Sequence, residues 1–259
     1  MLFQLIFIVT LMAGSPTSGS WDGTPIPNRL PGNLTAAQAD TILRLVSIAE
    51  NGTTEWWKKY SYIEDIGDGR GFTLNIVGFC TGTGDFLWLV KDLERFAPHH
   101  PLVSFERALE KVNGSDSHAG LTGLPRLVST LNRDADYLHA TWDAIVHFYW
   151  GPAMRMAESL DLKTVLSKGQ LYDILLNMGD FSLLEQVKAK PPSKGGDEMT
   201  WLAELQARWL HHITKVDLSL DSGQPDRALL WRSLRKSGNK KLQRPLKNLR
   251  CYGQTFSID

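Results

Sequence analysis

The sequence predicts a predominantly α-helical fold with a small β unit in its N-terminal third. Apolar residues recur at helical spacing in much of the chain, for example in 39–49, 86–96 and 126–158. Two glycine-rich turns, 67–71 and 82–84, flank a run with strand character. The 259 residues, of which 42% are hydrophobic and 22% charged, suffice for one large domain or for two lobes that share a core.

The first 33 residues are expected to lie outside the folded domain. Residues 1–20 contain an apolar run, Leu2–Met12, that is too short to span a bilayer and is followed by small residues, which is typical of a secretory signal. Residues 21–33 are rich in Pro, Gly and Asn and predict an extended arm. We therefore expect a secreted, extracellular protein with no membrane association after signal removal, folded as one domain over 34–259.

The formal charges sum to zero, so no global field favours nucleic acid or an anionic membrane as a partner. Two segments depart from this balance. Residues 48–92 contain seven acids and four bases, whereas residues 227–250 contain nine bases and no acid. A solvated helix face is the common explanation of such a basic segment, and pairing with the acidic segment or anion binding are the alternatives.

The first helix is predicted to begin after Thr35 and to end at 51–52, Asn-Gly. Thr35 and Gln38 form a capping-box pattern, and an apolar stripe follows in 39–49. Glu50 falls in the last turn, on or beside the buried face. Burial and the helix dipole both disfavour its charged form, which suits a general acid. A solvated glutamate at the rim of the helix is the alternative.

The β unit is expected directly after this helix. Residues 60–66 and 72–80 have strand character, and the turn 67–71 between them places Asp68 among three glycines. Four aromatic residues lie at the start of the unit, and such a cluster is more often core than a sugar-binding surface. They are Trp56, Trp57, Tyr60 and Tyr62.

The rest of the chain is predicted to be mostly helical. Pro152 is expected at a kink or a helix start, and Asp197 is a good N-cap. The tail 239–259 is expected to be irregular or extended. The helical patterns cover 86–96, 101–112, 126–158, 162–178, 197–209 and 227–235.

The two cysteines, Cys80 and Cys251, are either bridged, which an oxidising compartment permits, or buried thiols. The adjacent histidines at 99–100 and 211–212 rarely converge on one ion, and no HExxH or CxxC motif occurs. We therefore expect neither a metal nor a cofactor. Three asparagines fit the glycosylation pattern, and their use is left open: Asn33, Asn51 and Asn113.

Glu50 and Asp68 are 18 residues apart, one closing a helix and the other in a turn beyond a short extended run. This arrangement can place two carboxylates across a cleft, as glycoside hydrolysis requires. One carboxyl would protonate the leaving oxygen and the other would activate water, which Thr73 could help to hold. Many folds contain carboxylates at such a spacing, so the spacing by itself is a moderate signal.

The segment 48–85, IAENGTTEWWKKYSYIEDIGDGRGFTLNIVGFCTGTGD, closely resembles the N-terminal active-site segment of the chitosanases of glycoside hydrolase family 46. KVNGSDSHAGL at 111–121, GQLYDILLNMG at 169–179 and GGDEMTWL at 195–202 are similar to later segments of the family, in the same order. The resemblance implies a lysozyme-like fold, with two mostly helical lobes around a substrate groove. It also implies endo-hydrolysis of β-1,4 bonds between glucosamine units with inversion at the anomeric carbon.

The resemblance also implies roles for five residues. Glu50 matches the general acid, and Asp68 matches the general base that activates water. Thr73 matches the residue that positions this water, and Arg70 matches an arginine needed near the base. Asp85 matches a carboxylate that binds a glucosamine amine, and it could equally cap the helix that follows.

Three further residues are expected to bind substrate. Chitosan is a polycation, so its groove should be lined with carboxylates such as Glu64 and Asp65, with the ring of Tyr62 beside them. Asp173, Arg208 and Arg227 resemble a charge network behind the acid. The two arginines would otherwise be ordinary surface or structural ion pairs.

The sequence therefore predicts a secreted, monomeric, metal-independent and inverting chitosanase. A lysozyme-like muramidase is the nearest enzymatic alternative, and Asp85 with the acidic segment counts against it. A chitosan-binding protein that kept the fold without catalysis is the alternative from another class. The joint presence of Glu50, Asp68, Thr73 and Arg70 argues against lost activity.

Overall fold

The computed structural model describes residues 26–27, 30–216 and 224–259. The predicted signal 1–20 and most of the predicted arm 21–33 lie outside the described residues. Among the helices that are described, none combines the length and the apolar character needed to cross a bilayer.

Helices, counted with their 3₁₀ and π turns, occupy more than half of the described chain, as the sequence predicts. The α-helices are α1 (Ala36–Asn51), α2 (Asp85–Phe96), α3 (Glu106–Val112), α4 (Leu124–Val128), α5 (Ala135–Ile145), α6 (Gly151–Ser159), α7 (Val165–Met178), α8 (Glu198–Val216) and α9 (Gln224–Lys236). Short 3₁₀ turns precede or connect them at Trp56–Lys59, Pro101–Phe105, Ser182–Gln186 and Pro192–Lys194.

The ends of two helices follow the predicted capping residues. Thr35 and Gln38 form the complete capping box of α1, and Gly52 ends the helix in the left-handed conformation with φ 63°. Asp197 Oδ1 accepts a hydrogen bond of 2.8 Å from the backbone N–H of Thr200 at the start of α8. These caps satisfy backbone groups that a helix terminus otherwise leaves unpaired.

The region 126–158, predicted to form one or two long helices with a kink or a helix start at Pro152, is interrupted twice. A turn separates α4 from α5, and a π turn, Val146–Trp150, joins α5 to α6 just before Pro152. The backbone N–H of Gly151 bonds to the carbonyl of Val146, five residues back. A Cβ at Gly151 would lie 2.5 Å from that oxygen, so this position requires glycine. The extra residue in the turn changes the direction of the side chains that follow Val146.

The β unit is a three-stranded antiparallel sheet in the order β1 (Ile63–Asp65), β2 (Phe72–Leu74) and β3 (Phe79–Cys80). Thr73 lies opposite Glu64 on one side and Cys80 on the other. The prediction of one strand over 72–80 is wrong, because a turn at Asn75 divides it. Asn75 adopts φ 57°, and its side-chain oxygen accepts from the N–H of Val77.

The C-terminal tail forms a second antiparallel sheet, which was expected to be irregular or extended. Strands β4 (Leu246–Cys251) and β5 (Gln254–Ile258) are joined by a two-residue turn. Tyr252 and Gly253 adopt φ 50° and 71° there. Primed hairpin turns usually have asparagine or glycine at the first position. Tyrosine at this position gave no turn signal, so the hairpin was not predicted.

The elements form two groups around one continuous hydrophobic core. In the first group α2 packs against α5 and α3, with the three-stranded sheet beside them. In the second group α1, α7, α8, α9 and the C-terminal hairpin pack together, and the π turn with α6 connects the groups. Six described tryptophans are at most 3% exposed in this core and indicate a large apolar interior: Trp56, Trp142, Trp150, Trp201, Trp209 and Trp231.

Both cysteines are free and buried, so the structure shows thiols rather than a bridge. Burial raises the pKa of the Cys251 thiol to about 11. Some of the basic residues in segment 227–250 form ion pairs within the protein. Arg244 pairs with Asp40 on α1, and Lys247 pairs with Asp259.

Candidate active site

Glu50 ends the buried face of α1, and its side chain is 26% exposed. It is therefore neither fully solvated nor fully buried. Its Oε1 forms an ion pair with the guanidinium of Arg227, which comes from α9 and whose side chain is only 3% exposed. The carboxyl of Glu50 thus lies at the surface, at a helix end that the buried guanidinium of Arg227 stabilises.

Arg227 also binds Asp173 on α7, which is completely buried. Its Nε and NH2 donate to Asp173 Oδ1 at 3.0 Å and 2.5 Å. Burial lowers the pKa of this guanidinium, but the charges of Asp173 and Glu50 outweigh burial and raise it above its usual range. Arg227 therefore stays charged and is shared by two carboxylates.

The structure places Arg208 differently from the charge network that the resemblance implies. Arg208 NH2 pairs at 2.9 Å with Glu204, one turn earlier on α8. The second oxygen of Asp173 accepts a hydrogen bond of 2.5 Å from Trp231 Nε1 instead. Arg208 belongs to the outer face of α8, where Glu204 also accepts from the N–H of Ala189. The sequence did not point to Trp231, because an indole carries no charge and so gives no sign that it binds a buried carboxylate.

Asp68 lies in the first glycine turn, where Gly67, Gly69 and Gly71 all have positive φ. Its Oδ1 accepts from the backbone N–H of Arg70 at 3.1 Å. Its Oδ2 accepts from Arg70 Nε at 2.8 Å and from NH2 at 2.5 Å. The side-chain hydrogen bonds from Arg70 lower the pKa of the Asp68 carboxyl and outweigh the opposing effect of burial. Asp68 is therefore an ionised, solvent-accessible carboxylate.

The second glycine turn holds the first one in place. The N–H of Gly82 donates to the carbonyl of Arg70 at 2.9 Å, and the N–H of Gly114 donates to the carbonyl of Gly82 at 2.8 Å. A Cβ at Gly82 would lie 2.1 Å from the carbonyl oxygen of Ser115. The backbone at Gly82 is therefore clamped between the Asp68 turn and the loop after α3.

Thr73 lies in the middle of β2 and is 8% exposed. Its Oγ1 is 3.5 Å from the sulfur of Cys80 on β3. The Cys80 thiol donates in turn to the carbonyl of Gly78 at 3.4 Å. With the thiol proton used there, the sulfur accepts from Thr73, and the lone pairs of the Thr73 hydroxyl are left to accept from water.

Asp85 is the first residue of α2, one position after the cap Gly84. Its Oδ1 accepts three hydrogen bonds of 2.8 Å, from the N–H of Cys80, the hydroxyl of Thr83 and the N–H of Phe86. Oδ2 has no hydrogen-bond partner among the described residues. Burial raises the pKa of this carboxyl in spite of these donors. One oxygen of Asp85 is thus fixed, and the other is available to a ligand.

The other predicted substrate-binding residues lie on or beside β1. Tyr62 Oη donates to Glu64 Oε2 at 3.0 Å, and both side chains are on the accessible side of the sheet. Asp65 Oδ2 is 3.3 Å from Nε2 of His118, which stacks on Phe72 at 3.9 Å. The two exposed carboxylates therefore extend the acidic surface of Asp68 along β1.

The aromatic cluster after α1 is mainly core, as the sequence predicted. Trp56 and Tyr60 are buried, and Trp56 Nε1 donates to Asp40 at 2.9 Å. Trp57 is half-buried with the guanidinium of Arg44 4.5 Å from its ring centre.

Tyr149, from the π turn, lies among the candidate site residues, and sequence reasoning missed it. Burial raises the pKa of its phenol, and the nearby charges of Asp85 and Glu50 raise it further. No sequence pattern pointed to Tyr149, because the π turn that orients it has no reliable signature.

Known proteins resemble this chain in sequence and in fold. The sequence profile of glycosyl hydrolase family 46 matches residues 44–246. The chain belongs to this family. A chitosanase of Streptomyces sp. is 37% identical over 228 residues, which are 84% of this chain and 80% of the relative.

Two solved structures of family chitosanases have the same fold. A mutant chitosanase from Bacillus subtilis complexed with 6 GlcN superposes with a TM-score of 0.78, at 29% identity, over 88% of this chain and all of that chain. A Gynuella sunshinyii family 46 chitosanase in complex with chitotetraose gives a TM-score of 0.76 at 27% identity, over 88% of this chain and 99% of that chain. The predicted fold class is confirmed: predominantly α-helical, with two mostly helical lobes and a small β unit in the N-terminal third.

Proposed function

We propose that this family 46 member is an endo-acting chitosanase that hydrolyses β-1,4 bonds between glucosamine units with inversion. One observation supports the chemistry above all others: Glu50 and Asp68 are similarly exposed, at 26% and 29%, but each is held by a different arginine, one buried and one at the surface. Arg227 holds Glu50 from the buried interior, whereas Arg70 holds Asp68 at the accessible surface. A pair of carboxyls with different environments is what an acid and a base require.

Asp68 acts as the general base. Its lowered pKa keeps it ionised at the pH at which chitosan is a soluble polycation. It takes a proton from a water molecule as the water oxygen attacks the anomeric carbon. Thr73 accepts a second hydrogen bond from this water. Because the Cys80 thiol donates to the carbonyl of Gly78, its sulfur is left to accept the Thr73 proton. Two acceptors fix the direction of the attacking lone pair.

Glu50 acts as the general acid. With both carboxylates ionised, the group of Glu50, Asp173 and Arg227 has one net negative charge, because the single guanidinium is shared. A proton on Glu50 makes the group neutral and leaves the buried pair of Arg227 and Asp173 intact. Glu50 then donates this proton to the glycosidic oxygen as the bond breaks.

The acidic surface selects the substrate. The free oxygen of Asp85 and the exposed carboxylates of Glu64 and Asp65 are suited to the ammonium groups of chitosan. A muramidase would face a glycan with anionic peptides, which these carboxylates would repel. A non-catalytic binding protein would have no use for the arginine that keeps Asp68 ionised.

Secretion and a monomeric state belong to the same proposal. The apolar run Leu2–Met12 supports export. Detection of the processed chain in the culture medium tests export, and light scattering of the purified protein tests the oligomeric state.

The decisive experiment is NMR of the first products from a fully deacetylated glucosamine hexamer, with peptidoglycan as the comparison substrate. We expect α-anomers from the hexamer and no release from peptidoglycan. Initial β-anomers would contradict the role of Asp68, and activity on peptidoglycan alone would contradict the substrate.

A further inference from the structure

Trp88 and His147 form a stacked pair that the mechanism above does not use. Their ring centres are 4.4 Å apart and their planes differ by 14°. Trp88 is on α2 and is half-buried, whereas His147 is on the π turn and is exposed. The pair therefore presents aromatic surface to solvent.

The pair lies beside the candidate site. Trp88 follows Asp85 by three residues on α2, so their Cβ atoms are neighbours at about 5–6 Å. His147 precedes Tyr149 by two residues on the π turn, and the charges of Asp85 and Glu50 act on the Tyr149 phenol. The aromatic pair thus continues the surface formed by Glu50, Tyr149 and Asp85.

The pair is held rigidly without a ligand. The ring of Phe148 packs edge-on against Trp88 at 5.5 Å and 75°, and against His147 at 4.6 Å and 88°. Phe148 is itself in contact with the buried Phe79, 6.1 Å between centres. The π turn fixes the direction of both His147 and Phe148. A ligand would meet a preformed surface and would order few side chains on binding.

We propose that Trp88 and His147 form a further saccharide subsite that binds a glucosamine unit next to the unit held by Asp85. The indole offers an apolar surface to the sugar ring and a π face to its ammonium group, for which tryptophan is the best aromatic partner. This inference rests on the proposed function, since it requires a chitosan chain in the groove.

Helix α2 also provides a matched control. At its C-terminal end Phe96 forms a similar pair with His139 of α5, with 4.5 Å between ring centres. Phe96 is 39% exposed and lies eight residues beyond Trp88, about 12 Å along the helix axis. The Phe96 pair is chemically similar to the Trp88 pair, but it does not lie near Asp85.

The test is calorimetric titration of a glucosamine hexamer into the Glu50→Gln protein. Adding Trp88→Ala should raise the Kd about two- to fivefold, since a cation on an exposed indole is worth that much. Trp88→Phe should give a smaller increase, and Phe96→Ala should give none. The indole N–H resonance of Trp88, assigned by its loss in Trp88→Phe, should shift when the hexamer is added.

Three results would overturn the subsite: an unchanged Kd in Trp88→Ala, an equal increase in Phe96→Ala, or an indole resonance that does not respond to the hexamer. These failures are distinguishable from failure of the proposed function. If the Glu50→Gln protein with Trp88 intact does not bind the hexamer, both proposals are wrong. If it binds while Trp88→Ala has no effect, only the subsite is wrong.

Discussion

Arg227 forms an ion pair with Glu50 from a position inside the protein. The same guanidinium donates two hydrogen bonds to Asp173, which has no exposure to solvent. The end of α1 is therefore tied to α7 and α9 through one cation. The position of the candidate acid depends on the packing of three helices.

Replacing Arg227 by methionine should destabilise the fold strongly. The change leaves Asp173 buried without its charge partner, and breaking such a pair costs about 3–5 kcal/mol. Urea unfolding measures this loss. Arg208→Met is the matched control, because the Arg208 side chain is 36% exposed and pairs with Glu204 at 2.9 Å. It should cost a small fraction of that amount, and an equal loss in both variants would contradict the network as the structure has it.

Glu50→Gln should abolish turnover and leave the fold intact. The amide keeps the shape of the side chain and cannot donate a proton to a leaving oxygen, so kcat should fall by at least about 10²–10⁴-fold. Initial rates on a glucosamine hexamer and the thermal unfolding curve measure the two effects. Glu55→Gln is the control, since Glu55 pairs with Lys58 at the surface. Substantial activity in Glu50→Gln would show that another group is the acid.

Asp68→Asn should also abolish turnover, because an amide cannot accept the proton of the attacking water. Rescue of the rate by an added small anion such as azide would support the loss of a base at this position. An Asp68→Asn protein with near-normal kcat would remove Asp68 from the mechanism.

Arg70→Gln should move the acid limb of kcat to higher pH. The Arg70 hydrogen bonds hold the pKa of Asp68 below its ordinary value, so the base remains ionised as the pH falls. Without the guanidinium the pKa rises, and Asp68 is protonated and inactive at a pH where the unsubstituted protein still works. The pH profile of kcat checks this, with Arg95→Gln, remote from the turn, as the control. If the acid limb of kcat is unchanged in Arg70→Gln, a group other than Asp68 determines that limb.

As the pH falls, KM should rise before kcat decreases, because Asp85 is protonated before Asp68. Burial raises the pKa of Asp85 while hydrogen bonds lower that of Asp68, so Asp85 loses its charge first as the pH falls. The affinity for an ammonium group is then lost before the base is protonated. KM and kcat measured against pH should separate in this order, and Asp85→Asn should raise KM and remove its acid limb. An acid limb of KM that persists in Asp85→Asn would contradict the assignment.

Cys80→Ala should lower kcat by about two- to tenfold, because one modest hydrogen bond to Thr73 is lost. Thr73 could then rotate its proton toward the attacking water. Cys251→Ala removes an equally buried thiol from the C-terminal hairpin and should reduce stability with little effect on kcat. Equal kcat losses in the two variants would show that Cys80 acts through stability alone.

Local patterns predicted the elements that hold Glu50 and Asp68. The capping box at Thr35 and the glycine at 52 set both ends of α1, and therefore the place of Glu50 in its last turn. The glycines around Asp68 predicted a turn with positive φ. These features depend on contacts within a few residues, which periodicity and turn chemistry record directly.

Contacts between distant segments could not be predicted in this way. The family resemblance implied both Arg208 and Arg227 for the network behind Glu50. In the structure Arg227 and Trp231 contact Asp173, whereas Arg208 pairs with Glu204. The C-terminal hairpin was missed because its tyrosine turn is stabilised by Asp226 on α9, which accepts from the N–H of Tyr252.

The sequence by itself determined a mostly helical member of a hydrolase family, with one carboxyl at a helix end and another on a glycine turn. Only the tertiary structure decided which of Arg208 and Arg227 faces Glu50, which oxygen of Asp85 remains free, and that Tyr149 and Trp88 lie beside them. The physical reason is that helix and turn propensities act over a few residues. The electrostatic environment of a side chain depends on groups brought together from distant parts of the chain by burial of the common core.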